Sequence, residues 1–554
     1  MKQSTNEKVV ILGGGVAGMS AAHELIERGF DVVVLEYKNI PGGKARSIPV
    51  PNTGQAGRKD LPGEHGFRFF PGFYQHVTDT MKRIPYTAPD GEEKTVFDNL
   101  IHAERMGLAR YHYPLTEFVA NFPNSLDDVT DLIKSMFKAD LDLSAEEMEV
   151  AASKLWQIVT SCYDRKVHEY EQIPWWDFIE AEKHSDAYKK LFTALTRTLV
   201  AAKAHEASTK TVGNVGAELL LDMITPGMQN DRVLNGPTND VWIDPWLRYL
   251  REQGVDYRLE AEVKSISCAD GRICGATILE NGVEYEVTGD YFISALPVEV
   301  MASLLTDEML LLDPSLYYLK QLALSVDWMT GIQFFLTEPA PIIEGHVLYM
   351  DSEWALTSVS QAQFWPDFDL SQYGDGQVVD ILSVDISDWN MPGLNGLTAM
   401  ECDKLQIRNE VWAQLKKSLN HGDEILLRDD MIQEWFLDPN ICFINPRDKI
   451  NLEPLLINKV GTWTQRPDAA TGIPNFYLAS DYVRTKTDLA TMEGANEAAR
   501  RAVNAILADA KSSAEPCKLF KMYEHKLFAL WQKHDQERFD QGLPWDGKTV
   551  LSIF

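Results

Sequence analysis

The chain has 554 residues, which is too long for a single hydrophobic core and predicts two or three domains. Its 52 lysines and arginines against 82 aspartates and glutamates give a net charge of −30, which disfavours nucleic acid and anionic lipid as partners. The six cysteines are scattered without a C-x-x-C pair, so we expect reduced thiols, no disulfide framework and no metal site.

The polar amino terminus, MKQSTNEK, leads directly into an apolar strand, and we therefore expect no signal peptide. No apolar run approaches the ~20 residues that a transmembrane helix needs. These features predict a cytoplasmic protein with at most peripheral membrane contact.

A glycine-rich turn follows the first apolar run, Val9 to Leu12, which is typical of a buried parallel strand. The turn has the order G-x-G-x-x-G. Gly13 permits the tight bend, Gly15 lets the backbone approach a pyrophosphate, and Gly18 lets the next helix pack closely on the strand.

The helix after this turn is predicted from about Val16 to Arg28, and its N-terminus offers free N–H groups to phosphates. A second apolar strand, Val32 to Leu35, ends at Glu36. A carboxylate at that position accepts hydrogen bonds from both ribose hydroxyls and repels a 2′-phosphate. The whole segment therefore predicts a βαβ unit that binds a dinucleotide.

A second glycine pair, Gly42-Gly43, comes soon after Glu36 and is followed by the cations Lys44 and Arg46. A plain NAD domain has no need of these residues. The extended, doubly charged pyrophosphate of FAD does, because glycines allow close backbone approach and the cations supply charge. The predicted cofactor is non-covalent FAD.

The chain resembles the flavoprotein superfamily of amine oxidases, carotene desaturases and related isoprenoid enzymes. Within it, the sequence is most similar to plant- and cyanobacterial-type carotene desaturases and to hydroxysqualene dehydroxylases. Four stretches carry the resemblance: G-G-G-V-A-G-M-S with P-G-G-K, Glu64 to Tyr74, Asp351 to Thr357 with Gln363-Phe364-Trp365, and Phe476 to Tyr482 with Thr491 to Ala495.

This resemblance implies an α/β fold with a Rossmann-like FAD-binding domain of the glutathione-reductase and amine-oxidase type, and with an α+β substrate domain inserted into it. The FAD-binding domain is expected in three segments, 1–76, 236–300 and 455–510. A helical substrate or cap region is expected at 77–235, a mixed sheet-helix substrate domain at 301–454, and a C-terminal helix and tail at 511–554.

Local patterns add detail to this division of the chain. Helical periodicity covers 126–172 and 175–221, a further helix is expected at 242–253, and 255–266 alternates as one strand. Asn281-Gly282 between two apolar runs predicts a tight β-hairpin.

In the superfamily, an acid at the position of Asp481 lies near the ribityl or phosphate region. The helix that opens with M-E-G-A points its N-terminus at the N1/O2 edge of the flavin, where it stabilises the negative charge of the reduced ring. The predicted FAD-binding residues, several of them implied by the resemblance alone, are Gly13, Gly15, Val16, Ala17, Gly18, Glu36, Tyr37, Gly42, Gly43, Lys44, Ala45, Arg46, Phe67, Arg68, Val263, Ala295, Asp481, Met492 and Ala495.

Arg68 is the candidate catalytic residue, because the desaturases tend to have histidine where this chain has a guanidinium. Arg68 is predicted either to bind a carboxylate or phosphate, to sit over an aromatic ring, or to form a structural salt bridge with a carboxylate or with FAD. His65 is interpreted as a packing histidine.

The resemblance implies hydride chemistry at flavin N5 on a largely apolar isoprenoid or polyene substrate, by desaturation, dehydroxylation or isomerisation. The electron acceptor is expected to be oxygen or a quinone, and the oligomeric state stays open. Amine or amino-acid oxidation is the first alternative, although amine oxidases usually place a tyrosine before the M-E-G-A-like sequence, where this chain has Thr491. The second alternative is a non-catalytic flavin-fold binding protein.

Apolar residues recur at helical spacing near the C-terminus: Leu519, Phe520, Tyr523, Leu527, Leu530 and Trp531. This face is predicted either to dock on a membrane or to pack on the protein's own body, and the net charge favours packing. The neighbouring His534, Asp535 and Glu537 are expected at the surface.

Overall fold

The structure is a computed structural model of the whole chain, and it describes residues 7–88, 90–119, 143–200, 202–224, 231–520 and 528–547. Two large sheets organise this part of the chain. One is parallel and carries the glycine turns, and the other is predominantly antiparallel and faces it across the segment 63–74.

The parallel sheet has five strands, and their order differs from their order in the sequence. From one edge to the other they are Asp256–Arg258, Asp31–Leu35, Lys8–Leu12, Tyr291–Ser294 and Phe476–Leu478. All neighbours in this sheet pair in parallel. The three predicted FAD-domain segments therefore contribute strands to one sheet, and its strands Lys8–Leu12 and Asp31–Leu35 are the valine-rich, buried runs typical of parallel sheets.

Two helices pack against each other beside this sheet, Val16–Glu27 and Met492–Asp509. Both bury small residues, and Asn496 donates to the Ser20 hydroxyl at 2.8 Å between them. The first helix ends at Glu27, one residue before the predicted end.

A three-stranded antiparallel sheet lies next to the parallel one and consists of Ala261–Ala269, Arg272–Glu280 and Val283–Val287. Asn281 and Gly282 have φ values of 52° and 76°, which confirms the predicted hairpin, because a two-residue turn of this kind needs positive φ at both positions.

Two expectations in this part of the chain are wrong in detail. The predicted strand 255–266 is divided by Glu260, whose φ of 58° interrupts the extended backbone. The helix expected at 242–253 begins earlier, as the π-helical segment Asn239–Ile243, and continues as the α-helix Asp244–Glu252.

The second large sheet has seven strands. In order they are Ile432–Leu437, Thr330–Leu336, Asp380–Ile386, Leu356–Ser360, Gly345–Tyr349, Arg105–Arg110 and Tyr113–Val119. Neighbours pair antiparallel except Gly345–Tyr349 with Arg105–Arg110, which pair in parallel.

The last two strands correct the expectation that 77–235 is helical. The described part of 77–119 contains strands, and two of them complete a sheet whose other strands come from 301–454. The physical reason is the hairpin between Arg110 and Tyr113, where His112 takes a positive φ of 67° and turns an alternating segment back on itself.

The part of the predicted helical block at 126–142 lies outside the described residues, and the described part that follows is helical. Its helices are Ala145–Thr160, Tyr163–His168, Trp175–Phe178, Asp186–Val200 and Thr209–Ile224.

The C-terminal helix Ala529–Asp540 packs on this block. The Trp531 ring meets Trp156 edge to face at 5.6 Å, so the packing prediction holds for Trp531, whereas Leu530 is exposed and Tyr523 and Leu527 lie outside the described residues. Asp535, expected at the surface, is buried instead, because Arg165 Nε donates to it at 3.0 Å.

Six further α-helices are described outside these groups. They are His76–Met81, Val298–Leu304, Asp307–Leu312, Tyr317–Leu322, Lys404–Leu419 and Thr462–Gln465. Five two-stranded pairs complete the fold: Ser47–Pro49 with Pro62–Glu64, Pro85–Thr87 with Glu93–Thr95, Leu100–His102 with Arg232–Leu234, Val326–Asp327 with Leu455–Leu456, and Ile441–Asn445 with Asp448–Asn451. Among the described helices, none has the length and apolar character needed to cross a membrane.

Candidate functional site

The first glycine turn connects strand Lys8–Leu12 to the helix that begins at Val16. Gly13 has a φ of 102°, and a Cβ there would lie 2.9 Å from the carbonyl oxygen of Ala295. A Cβ on Gly18 would lie only 1.9 Å from the carbonyl oxygen of Gly13. Both positions therefore need glycine for backbone packing, whereas a Cβ on Gly15 would meet nothing closer than Gly43 Cα at 3.6 Å.

The second glycine turn lies against the first. Gly42 and Gly43 have φ values of 100° and 57°, and Gly42 N donates to Gly14 O at 3.3 Å. A Cβ on Gly43 would lie 2.9 Å from Gly15 Cα. Two turns that are 27 residues apart in sequence at Gly15 and Gly42 thus form one backbone cradle without side chains in it.

Glu36 ends the second parallel strand and is held by backbone groups. Its Oε2 accepts from Gly14 N at 2.8 Å and its Oε1 from Lys38 N at 2.9 Å. Burial raises the pKa of Glu36, and the two amide hydrogen bonds and the Arg46 charge oppose that shift. Each carboxylate oxygen has further acceptor capacity, so ribose hydroxyls can still be bound here.

A single cleft runs from this cradle along the carboxyl ends of the parallel strands. It is lined by 17 of the 19 predicted FAD-binding residues: Gly13, Gly15, Val16, Ala17, Glu36, Tyr37, Gly42, Gly43, Lys44, Ala45, Phe67, Arg68, Val263, Ala295, Asp481, Met492 and Ala495. The other two do not line the cleft in the described structure. Gly18 packs behind the turn, and Arg46 is buried in an ion pair. FAD contact by any of these residues stays a prediction.

Several lining residues were missed by the sequence analysis: Leu35, His65, Phe69, Tyr74, Ala261, Leu296, Pro297, Val300, Leu452, Glu453, Leu455, Ser480, Ala490 and Thr491. Leu296 and Pro297 follow a parallel strand whose carboxyl end lies at the same sheet edge as Gly13. The predicted strand before Pro297 could therefore have indicated that both residues lie near the cofactor. Leu452 and Glu453 lie in a loop after an antiparallel pair, and their sequence carries no signal for the site.

The two cations after the second glycine turn have protein partners. Arg46 Nη2 pairs with Glu453 Oε2 at 2.9 Å, and Lys44 Nζ donates to the Pro454 carbonyl. Burial by itself would raise the pKa of Glu453, but His65, Arg46 and Lys38 outweigh it and lower the pKa to about 2. Lys44 is therefore the cation that remains on the cleft surface.

Arg68 lines the cleft through a buried guanidinium. Its Nη1 donates to the carbonyl oxygens of Gly66 and Phe67 at 2.5 and 3.1 Å, and its Nη2 donates to the Lys44 carbonyl. The bond to Lys44 fastens segment 63–74 to the second glycine turn, and the other two hold the guanidinium within the segment. Burial lowers the pKa of Arg68, and the nearby Glu64 and Asp385 oppose that shift.

His65, interpreted as a packing histidine, contacts two carboxylates. Its Nδ1 lies 2.5 Å from Asp438 Oδ2 and 3.6 Å from Glu453 Oε2. These contacts tie the loop carrying His65 to Glu453 in the cleft lining and to Asp438.

The far end of the cleft meets the N-terminus of helix Met492–Asp509. Thr491 caps this helix, because its Oγ1 accepts from Gly494 N at 3.2 Å. Glu493 points away from the cleft and accepts from the backbone amides of His76 and Val77 at 2.8 and 2.9 Å. The free amides of the first helical turn and Met492 are therefore left to face the cleft.

These features fit an extended dinucleotide with a charged middle and a flat redox ring. The side-chain-free cradle suits a pyrophosphate, Glu36 suits a ribose, and the helix N-terminus suits a ring that gains negative charge. The position that is open for a ligand is Gly15, where a Cβ would meet nothing closer than 3.6 Å, whereas Gly43 needs glycine because its Cβ would meet the Gly15 backbone.

Comparisons with known proteins agree with this fit. A family model described as flavin containing amine oxidoreductase matches residues 16–507. The chain is 24% identical over 524 residues to a 15-cis-phytoene desaturase from Synechococcus elongatus, covering 90% of this chain and 96% of that protein. It is 23% identical over 531 residues to a zeta-carotene desaturase from Synechocystis, covering 91% and 97% respectively.

Among solved structures, a putrescine oxidase bound to putrescine superposes with a TM-score of 0.59 at 13% identity, covering 91% of this chain and 99% of that one. Identity this low shows a shared fold only, and it confirms the predicted fold class. Because the family model spans most of the chain, the protein belongs to the flavin-containing amine oxidoreductase family and is an FAD-dependent oxidoreductase.

Proposed function

We propose that this oxidoreductase acts by hydride transfer at flavin N5 on a largely apolar isoprenoid or polyene substrate. The observation that carries the proposal is Thr491, which occupies the helix N-cap where an amine-binding site would need an aromatic ring. The two carotene desaturases that match over nearly the whole chain support the same choice.

Non-covalent FAD is proposed to lie along the described cleft. The Gly15 and Gly43 backbones would hold its pyrophosphate, Glu36 its adenosine ribose, and the N-terminus of helix Met492–Asp509 the N1/O2 edge of its ring. When bound, FAD supplies a two-electron carrier that takes or gives hydride. The protein's own groups position the ring, and the apolar side chains around it exclude water.

Apolar character of the cleft supports a hydrocarbon-like substrate. Its lining includes Phe67, Phe69, Leu296, Pro297, Val300, Leu452, Leu455 and Met492. An apolar substrate gains about 25 cal/mol for each Å² that it buries against such a surface.

Oxidation of an amine or amino acid is the competing function, and Arg68 is the residue that would favour it. Its guanidinium could anchor a substrate carboxylate. However, both of its terminal nitrogens already donate to backbone carbonyls, and Glu64 and Asp385 lie near its charge. Only Nε remains without a partner among the described residues, and the two nearby carboxylates compete with a substrate carboxylate for the guanidinium, so the isoprenoid proposal is favoured.

Anaerobic reduction of the bound flavin tests this proposal. A polyene hydrocarbon in detergent micelles, a primary amine and an L-amino acid are each mixed with the oxidised holoenzyme, and loss of the oxidised flavin absorbance is followed. Chemically reduced enzyme is then mixed with a hydroxylated isoprenoid and with a polyene isomer, to test dehydroxylation and isomerisation.

Flavin bleaching by the polyene, with a product two hydrogens lighter, supports desaturation. Reoxidation of the reduced enzyme by the hydroxylated isoprenoid supports dehydroxylation, and isomer conversion without net bleaching supports isomerisation. Reduction by the amine or amino acid alone would replace the proposal with the competing function. Oxygen and a quinone are then compared as electron acceptors for the reduced enzyme.

A further inference from the structure

A buried carboxylate–imidazole pair lies beside the cleft, outside the residues assigned to FAD. His346 is 6% exposed, and its Nδ1 pairs with Asp231 Oδ2. These residues are 115 positions apart, and they meet where strand Gly345–Tyr349 passes the segment leading into strand Arg232–Leu234.

His346 belongs to the face of the seven-stranded sheet that is turned toward the cleft. Its strand neighbours Val347 and Tyr349 point the other way, into the core formed with helix Lys404–Leu419. The imidazole instead contacts Phe67 at 5.1 Å and Phe69 at 4.6 Å between ring centroids. Both phenylalanines line the cleft, so the imidazole adjoins the cleft wall.

The second nitrogen of this imidazole is available. His346 Nε2 is buried, and it has no hydrogen-bond partner among the residues that the structure describes. A buried polar atom without a partner is uncommon, and it often indicates a catalytic role or a missing ligand. When a carboxylate holds the proton on Nδ1, the neutral ring presents Nε2 as an acceptor.

Oxidation of a carbon chain to an alkene removes a hydride from one carbon and a proton from the next. The flavin accounts for the hydride and both electrons, but the proton needs an acceptor. The carboxylates and the imidazole that line the described cleft are Glu36, His65, Glu453 and Asp481, and the first three already have protein partners.

We propose that His346 Nε2 accepts this proton, and that Asp231 is the positioning residue that fixes the acceptor tautomer and stabilises the imidazolium that forms. The substrate C–H bond breaks, its electron pair becomes part of the new C=C bond, and the proton moves to Nε2. The substrate is oxidised by two electrons as the flavin is reduced. This inference rests on the proposed function, for which His346 would be the proton acceptor.

Three variants of the holoenzyme separate this role from packing. His346→Asn keeps a donor near Asp231 but removes Nε2. Asp231→Asn removes the carboxylate. His102→Gln is the matched control, because His102 also has a buried Nε2 without a partner among the described residues but forms no ion pair in that part of the chain.

With the polyene as substrate, His346→Asn is expected to slow anaerobic flavin reduction about 100- to 10,000-fold, the usual effect of losing a general base. FAD content and the rate of reduction by dithionite should match those of the wild type, since neither needs the base. His102→Gln should stay within about threefold of the wild type. A polyene-driven rate that is unchanged in His346→Asn would overturn the proposal.

Nuclear magnetic resonance of histidine-labelled holoenzyme gives a readout that needs no substrate. In the neutral form of the His346 ring the proton should lie on Nδ1, and Asp231→Asn should shift it toward Nε2. A wild-type ring protonated on Nε2 would overturn the proposal whatever the substrate. If only an amine reduces the wild-type flavin, the isoprenoid proposal fails, and the effect of His346→Asn on that amine decides the proton acceptor separately.

Discussion

A Cβ on Gly18 would lie 1.9 Å from the carbonyl oxygen of Gly13, and this approach of helix to turn fixes the geometry of the nucleotide cradle. Gly18→Ala is therefore expected to destabilise the fold itself. Overpacking against backbone costs about 1–3 kcal/mol or more, because the carbonyl cannot move away as a side chain can. Chemical unfolding of the FAD-free protein should show this loss, and an unchanged midpoint would contradict the described packing.

Gly15→Val, unlike Gly18→Ala, should weaken FAD binding without destabilising the fold. A Cβ at this position has 3.6 Å of clearance from Gly43, so the FAD-free protein should keep nearly wild-type stability. The valine branches would instead fill the cradle, and FAD retention after gel filtration should fall at least about tenfold. Full FAD occupancy in this variant would show that the cradle is not the pyrophosphate site.

The flavin should be released by acid precipitation. The lining of the cleft contains no cysteine, and its one histidine, His65, is held by Asp438 at 2.5 Å. No described lining residue is thus poised for a flavin linkage. The supernatant should contain FAD by chromatography, and yellow colour retained in the pellet, or FMN in the supernatant, would contradict the assignment.

Stability should fall as pH rises from about 4 toward 7. Burial raises the pKa of Asp385 to about 7, and the opposing charge of Arg68 does not cancel the shift. Burial likewise raises the pKa of Glu64 to about 7. Between the unfolded and folded pKa values the folded state holds protons that the unfolded state has lost. Over this pH range each carboxyl group lowers the free energy of unfolding by roughly 1.4 kcal/mol per pH unit. Its stabilising contribution is lost above pH 7.

Asp385→Asn mimics the protonated form, so it should flatten this slope and be more stable than the wild type above pH 7. Urea unfolding at a series of pH values measures the effect. Asp423→Asn, at an exposed position, makes the same charge change without burial and should leave the slope as it is. A slope equally steep in Asp385→Asn would contradict the buried neutral carboxyl.

Binding to vesicles should be weak at physiological salt. Trp531 is buried against Trp156 and Phe528, and the net charge of −30 repels anionic lipid. Co-sedimentation with phosphatidylserine-containing liposomes should therefore leave most of the protein in the supernatant. Tight binding that is lost in Trp531→Glu, with fold and flavin content unchanged, would show that the helix packs on membranes instead.

The amino-acid sequence by itself determined the nucleotide-binding half of this protein. Strand, glycine turn, helix and Glu36 lie within 29 residues, Lys8 to Glu36, and each is specified by local chemistry: β-branched residues, glycine φ values and a carboxylate at a strand end. The hairpin at Asn281-Gly282 and the cap at Thr491 are local in the same sense. Such features are predictable because neighbours in sequence form them.

Only the tertiary structure decided the substrate half, because its contacts join distant segments. Strands Arg105–Arg110 and Tyr113–Val119 enter a sheet formed mainly by 330–437, which no local periodicity indicates. Glu453 reaches Arg46 across 407 residues. The pairing of Asp231 with His346, and of Asp535 with Arg165, likewise depends on which elements pack together. A buried charge needs an oppositely charged partner beside it. When the partner is distant in sequence, only the folded chain brings the two together, so local patterns do not identify it.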